Sequence, residues 1–138
     1  MNALASATKI VQTDFASFEY RESEKYIYIT FFSAKTFHFT LENIRELYTV
    51  IGKLANYKRL PTLADLRNVA EVNASAEVKK FAASNPESIK ARSANAILVS
   101  SFFNRLIVNI YLSINKPIVP TRLFNDEKEA IKWIKKFR

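Results

Sequence analysis

Short runs of β-branched and aromatic residues alternate with amphipathic helical patterns along most of this 138-residue chain. Two such runs, at about 15–21 and 25–32, come first and are separated by polar residues, which predicts an antiparallel hairpin. After it, helical and strand patterns take turns to the end of the chain. Such alternation is typical of a sheet whose parallel strands are joined by helical crossovers. We therefore expect an α/β fold with a mixed sheet that begins with an antiparallel hairpin and has helices packed against it.

The helical patterns are clearest in two places. Between Leu41 and Ala55, apolar residues recur about every 3.6 positions, and Thr40 stands where a helix cap is needed. The segment DEKEAIKWIKKF near the end of the chain has the same period. A buried strand is expected to end at Asp65. The other expected elements are a short strand TFHFT, helices SAEVKKFAAS, PESIKARS and SFFNRLIVNIYLSIN, and strands NAILVSS and TRLFND.

The length and composition fit one domain with a substantial core, since 49% of the residues are hydrophobic and 25% are charged. Residues 1–13 are polar and without a pattern, so we expect a flexible N-terminal arm there and a single domain over 14–138. The N-terminal stretch lacks the apolar run of a signal peptide, and no segment approaches the ~20 apolar residues of a membrane helix. We expect a soluble, cytoplasmic protein.

Several classes of enzyme are excluded by single residue counts. There is no cysteine, one histidine and one glycine. Disulfides and thiolate metal sites are therefore impossible, and Gly52 alone, within a predicted helix, cannot form a phosphate-binding loop. His38 could act as a general base, but no matched acid or nucleophile stands out, so a structural role is favoured. We expect no enzymatic activity, no cofactor and no metal.

The net charge of +8 raises the question of a polyanionic partner. From Lys116 to Arg138 there are seven basic and three acidic residues, so half of the net charge lies in the last 23 residues. These residues include the last predicted helix, and a basic amphipathic helix can bind nucleic acid or anionic lipid. The apolar positions of this helix are, however, those of a helix packed on a core. A solvated basic face is favoured: nucleic acid is not an expected partner, and peripheral lipid contact stays open.

The helical pattern at 101–115 has more apolar surface than a sheet-covering helix requires. One broad face suffices to cover the sheet, and Arg105 and Asn109 belong to a narrow polar stripe opposite it. Val108 and Leu112 lie beside this stripe, away from the core face. An exposed apolar ridge usually marks a partner. These four residues are thus a candidate protein interface, in the first place of a homodimer, unless the segment KPIVP covers them.

The segment DLRNVAEVNASAEV, together with the order of elements, resembles STAS domains, the sulfate-transporter and anti-sigma-factor-antagonist family. The typical loop of that family runs Asp-Leu-Ser-Gly-Val and, a few residues later, Asp-Ser-Ser-Gly. Asp65, Leu66 and Val69 match its first part. The resemblance covers about residues 15–138. It is strongest to an uncharacterised branch of small bacterial proteins that have a C-terminal segment similar to PTRLFNDEKEAIKWIKK.

The second part of the loop carries the functional implication. Asn73 stands where the family has Asp, Ala74 and Ala76 replace the first Ser and the Gly, and Ser75 matches the second Ser. In anti-sigma antagonists that second Ser is the phosphoacceptor of a partner kinase. The resemblance therefore implies a phosphorylatable switch at Ser75. The alternative is that Ser75 or Asn73 only caps the following helix.

The resemblance implies a regulatory or scaffold protein that acts by binding another protein. Asp65, Arg67 and Asn73 would then be loop or ligand contacts, since ligand crevices often lie at the carboxyl ends of strands. Alternatively, Asp65 and Arg67 lie at a solvated strand end, where Asp65 accepts hydrogen bonds from a neighbouring loop. A second hypothesis is a small hydrophobic-ligand or lipid-binding module, because STAS-like folds resemble the CRAL-TRIO lipid-binding architecture. It predicts a hydrophobic cavity beside the sheet.

Overall fold

A computed structural model describes residues 8–100 and 116–138 of the chain. Its strands are β1 Thr8–Gln12, β2 Ala16–Arg21, β3 Tyr26–Phe31, β4 Ala34–Phe39, β5 Thr62–Asp65, β6 Val69–Ala74, β7 Asn95–Leu98 and β8 Thr121–Phe124. Within these residues, six strands form one sheet in the order β1-β2-β3-β5-β7-β8. β1, β2 and β3 are antiparallel neighbours, whereas β3, β5, β7 and β8 are parallel. The predicted α/β class, with a mixed sheet and an antiparallel hairpin, is confirmed.

Two strands were not predicted. Residues 8–12 form β1, which pairs with β2 along its whole length, so the expectation of a flexible arm is wrong for these five residues. β6 pairs in parallel with β4 and forms a separate two-stranded sheet. Four of its six residues are exposed, and it therefore lacks the apolar pattern by which a buried strand is recognised.

The helices are α1 Leu41–Leu54, α2 Ala76–Ser84, α3 Pro86–Ala91 and α4 Glu127–Ile134, the last followed by a 3-10 turn at Lys135–Phe137. Each begins within one residue of the predicted start. Thr40 caps α1 as expected: its hydroxyl accepts from the backbone N–H of Asn43 at 3.0 Å, and its own N–H donates to the Asn43 side chain at 3.1 Å. In the described ranges, no helix has the length and apolarity needed to cross a membrane.

The large sheet is packed on both faces, because successive side chains of a strand point to opposite sides. Ile29 of β3 belongs to a core cluster that contains Ile51 of α1. Tyr28, the preceding residue, belongs to a cluster on the opposite face with Leu63 of β5 and Ile134 of α4. The helices thus form one layer on each face of the sheet. Polar side chains can occupy the ends of its parallel strands.

Candidate functional site

A polar cluster lies at the carboxyl end of β5. Asp65, the last residue of this strand, is 5% exposed. Arg67 donates hydrogen bonds to both carboxylate oxygens of Asp65: Nε of Arg67 donates to Oδ1 at 2.9 Å and Nη2 to Oδ2 at 2.7 Å. The backbone N–H of Arg67 also donates to Oδ1, at 3.0 Å. The short spacing of Asp65 and Arg67 thus closes a compact bidentate ion pair at the strand end.

Two residues far away in the sequence complete this cluster. The hydroxyl of Tyr28 lies 2.7 Å from Oδ2 of Asp65 and 3.0 Å from Oε1 of Glu127. Nη2 of Arg67 also donates to Oε1 of Glu127, at 2.9 Å. A phenol has one proton, so Tyr28 donates to one carboxylate at a time. We call these four residues the Tyr28 cluster.

The electrostatics of the Tyr28 cluster favour a fixed protonation state. Burial raises the pKa of Tyr28, and its hydrogen bonds to Asp65 and Glu127 raise it further. Burial of Asp65 opposes its ionisation, but the hydrogen bonds from Arg67 and Tyr28 outweigh the burial and leave the pKa of Asp65 below its ordinary value. The hydrogen bond to Asp65 raises the pKa of Arg67. The phenol therefore stays a donor and the carboxylate a charged acceptor, which suits a structural connection better than proton transfer.

The sequence placed only half of this cluster. Asp65 and Arg67 were singled out at a strand end, and the structure brings them together: Asp65 is buried and accepts hydrogen bonds from Arg67 in the following loop, and Arg67 is exposed. Neither Tyr28 nor Glu127 was singled out from the sequence. One signal could have found Glu127: its helix follows a parallel strand, so it begins at the sheet edge where Asp65 lies.

Ser75 and Asn73 lie elsewhere. Ser75 is the N-cap of α2, and its Oγ accepts from the backbone N–H of Val78 at 3.2 Å. Asn73 lies within β6, opposite His38 of β4, so it does not cap the helix. Ser75, Asn73 and His38 are all exposed. Among the described residues, no hydrogen bond or ion pair joins Ser75 or Asn73 to the Tyr28 cluster.

The interface predicted at Arg105, Val108, Asn109 and Leu112 lies outside the described residues. It therefore stays a prediction.

An apolar cavity of about 260 Å³ lies between the sheet and the helices on the α1 side. The sheet contributes Ile29 and Ala64 to its wall, and α1 and α2 contribute Leu47 and Val78. This volume is slightly below the range of about 300–1,000 Å³ that is typical of small-molecule sites. A cavity beside the sheet is what the hydrophobic-ligand hypothesis predicts.

The cavity has a basic wall. In the described part of the chain, two of its lining residues are charged, Lys79 and Arg92, and both are basic. Arg92 follows α3 and is partly exposed as a residue, but its Nε is sealed from solvent and has no hydrogen-bond partner. Its guanidinium carbon lies 5.3 Å from the centre of the Tyr48 ring. Burial lowers the pKa of Arg92, and Tyr48 only partly opposes this.

These features define a mixed α/β domain with an exposed helix cap, a polar cluster at one sheet edge and an apolar cavity with a basic wall. A family model described as a domain of unknown function, DUF7793, matches residues 20–138. The chain therefore belongs to the DUF7793 family. A search of the curated proteins finds no match.

Among the solved structures whose backbone resembles that of this chain is an uncharacterised protein of the DUF3478 family from Shewanella loihica PV-4, described as having a SpoIIAA-like fold. The two proteins are 13% identical, with a TM-score of 0.48, and the alignment covers 93% of this chain and 92% of that chain. This similarity carries no information about function, which has to be argued from the sites themselves.

Proposed function

We propose that this protein is a STAS-like regulatory domain that acts without catalysis, by binding another protein, and that phosphorylation of Ser75 switches the binding. The observation that carries the proposal is the position of Ser75, an exposed residue whose hydroxyl caps the first turn of α2. A kinase can reach such a hydroxyl without unfolding the core. The resemblance of the segment at 65–78 to the STAS loop supports the same residue.

The surroundings of Ser75 suit a phosphate. The backbone N–H groups of the first turn of a helix lack partners within the helix, and the helix dipole favours negative charge there. A phosphoryl group adds about two negative charges and three acceptor oxygens. α2 would therefore stay folded while its surface gains about two negative charges. Val72, Asn73, Ala76 and Glu77 are exposed beside Ser75, and a partner docked on these residues would meet the new charge.

A matched series of variants separates the switch from the cap. Ser75→Asn and Ser75→Asp have nearly the same shape and both cap a helix, but only Asp adds a negative charge. Ser75→Ala removes the cap without adding charge. Each variant would be used as bait in a lysate of the source cell, and the affinity of any captured protein would then be measured with purified components. We expect wild type and Ser75→Asn to bind alike and Ser75→Asp to lose binding.

Two results would contradict the switch. Equal binding by the Asn and Asp variants would remove the role of charge. Loss of binding with Ala but not with Asp would make Ser75 a capping residue alone. Phosphopeptide mapping of protein isolated from growing cells tests the modification directly, and an unmodified Ser75 under all growth conditions would contradict it.

A second candidate function is the binding of a small hydrophobic ligand, and the apolar cavity favours it. Its walls come from the sheet and from two helices, and it is partly open to solvent, so a ligand could enter and lie between these elements. Native mass spectrometry of gently purified protein tests this function. We expect added mass that is lost on denaturation, and a spectrum at the bare chain mass after saturation with candidate lipids would count against it.

The other expectations complete the proposal. We propose that the protein is cytoplasmic and forms a homodimer through the ridge at Val108 and Leu112. The basic face of the C-terminal helix would be solvated or, alternatively, would contact a lipid surface. Sedimentation analysis at several concentrations tests the dimer, and a monomer at all of them would contradict it.

A further inference from the structure

We propose that the apolar cavity binds a single-chain monocarboxylate of about ten carbon atoms, whose carboxylate pairs with Arg92. The inference rests on the second proposed function and names its ligand class. It combines three features of the cavity: its volume, the sign of its charges and an unsatisfied donor in its wall.

The volume sets the size of the hydrophobic part. An apolar protein cavity of about 150 Å³ accepts benzene, which has six carbon atoms. In proportion, a cavity of about 260 Å³ holds about ten carbon atoms. This suits a medium-length alkyl chain and is too small for a two-chain phospholipid.

The charges set the sign of the polar part. The described lining residues include no Asp or Glu, and both of the charged ones are basic. Lys79 is exposed, so water can stabilise its charge, whereas Arg92 holds its Nε away from water. A cationic ligand would be repelled by Arg92 in this cavity. An anionic group, by contrast, would find a partner already in place.

The unsatisfied donor favours a carboxylate. Buried N–H groups nearly always have a hydrogen-bond partner, and a buried cation without one is costly. Tyr48 stabilises the guanidinium through its ring and a side-chain hydrogen bond, but Nε itself is left without an acceptor. A carboxylate offers two coplanar oxygens to the planar guanidinium and one negative charge to its one positive charge. Binding would therefore satisfy both the donor and the charge.

Titration calorimetry with sodium decanoate and with 1-decanol tests this inference. The two probes share an alkyl chain and differ in charge. Wild type should bind decanoate with an affinity higher than that for decanol by roughly tenfold or more, the factor expected for a charge-assisted hydrogen bond. Arg92→Met keeps the length of the side chain without its charge. This variant should lose the preference for decanoate and keep its affinity for decanol.

Two further variants serve as controls. Lys90→Met removes an exposed positive charge two residues away, at the end of the same helix, and should leave both affinities unchanged. If Arg92→Met does not fold, as judged by circular dichroism, Arg92→Lys keeps the charge and loses the planar fork. It should then bind decanoate more weakly than wild type does and decanol equally well.

The outcomes separate the inference from the function on which it rests. If neither probe binds, the hydrophobic-ligand function fails, and the inference fails with it. If both bind wild type equally and Arg92→Met changes nothing, the cavity binds apolar ligands but the carboxylate site is wrong. If Lys90→Met weakens decanoate as much as Arg92→Met does, the preference comes from general surface charge, and the assignment to Arg92 is overturned.

Discussion

Replacing Tyr28 with Phe should weaken the connection between the sheet and α4 without disturbing the core. Tyr28 is 7% exposed, and Phe would keep its ring in the same place. The guanidinium carbon of Arg21, 4.3 Å from the centre of this ring, would keep its contact. What disappears is the hydroxyl, which lies 2.7 Å from Asp65 and 3.0 Å from Glu127. The substitution thus removes the hydrogen bond that the phenol donates to the two carboxylates, together with a longer one, 3.2 Å, that it accepts from Nη2 of Arg67.

The expected loss follows from what remains of the Tyr28 cluster. A hydrogen bond to a charged group contributes about 1.5–3 kcal/mol to the free energy of unfolding. Asp65 and Glu127 both keep their bonds from Arg67, so neither carboxylate is left without a partner. The lower limit therefore applies, about 1.5 kcal/mol. For a chain of 138 residues, this corresponds to a fall in Tm of about 5 °C.

Thermal and urea unfolding, followed by circular dichroism, measure this loss. Tyr20→Phe is the matched control, because Tyr20 is partly buried on the neighbouring strand β2 and no hydrogen bond of its hydroxyl is found among the described residues. It should change Tm by no more than about 2 °C. If both variants lose the same stability, or if Tyr28→Phe loses none, the hydroxyl of Tyr28 does not stabilise the Tyr28 cluster and the reasoning fails.

Three further predictions concern single side chains. The pKa of Asp65 is lower in the folded than in the unfolded protein, so its contribution to stability is complete above the unfolded pKa and is lost as the pH falls. The stability difference between wild type and Asp65→Asn should therefore shrink below about pH 4. A constant difference in acid unfolding curves would contradict this. Thr40→Ala should cost about 1 kcal/mol in urea unfolding through loss of the cap of α1, whereas Thr40→Ser should cost little. Without ligand, Arg92→Met should have a Tm equal to or higher than that of wild type, because it removes a buried donor that lacks a hydrogen-bond partner. A Tm lowered by several degrees would show that the side chain of Arg92 has its hydrogen-bond partners in the free protein.

Local patterns were sufficient for the elements that pack on the core. The helix α1 and the hairpin of β2 and β3 were predicted to within one residue, since their apolar periods follow directly from the geometry of helices and strands. β1 and β6 were missed. Ile10 and Val11 of β1 are exposed, and β6 is mostly exposed, so both strands depend on pairing with another strand instead of on burial of their own side chains.

The sites divide in the same way. The sequence alone placed Asp65 at the end of a strand and Ser75 at the start of a helix, because capping and strand ends are set by neighbouring residues. Only the tertiary structure brought Tyr28 and Glu127, which are 99 positions apart, to the same carboxylate cluster, and only it sealed the Nε of Arg92 in the wall of a cavity. Hydrogen bonds and burial of this kind depend on which strands and helices become neighbours, and no local pattern of residues encodes that choice.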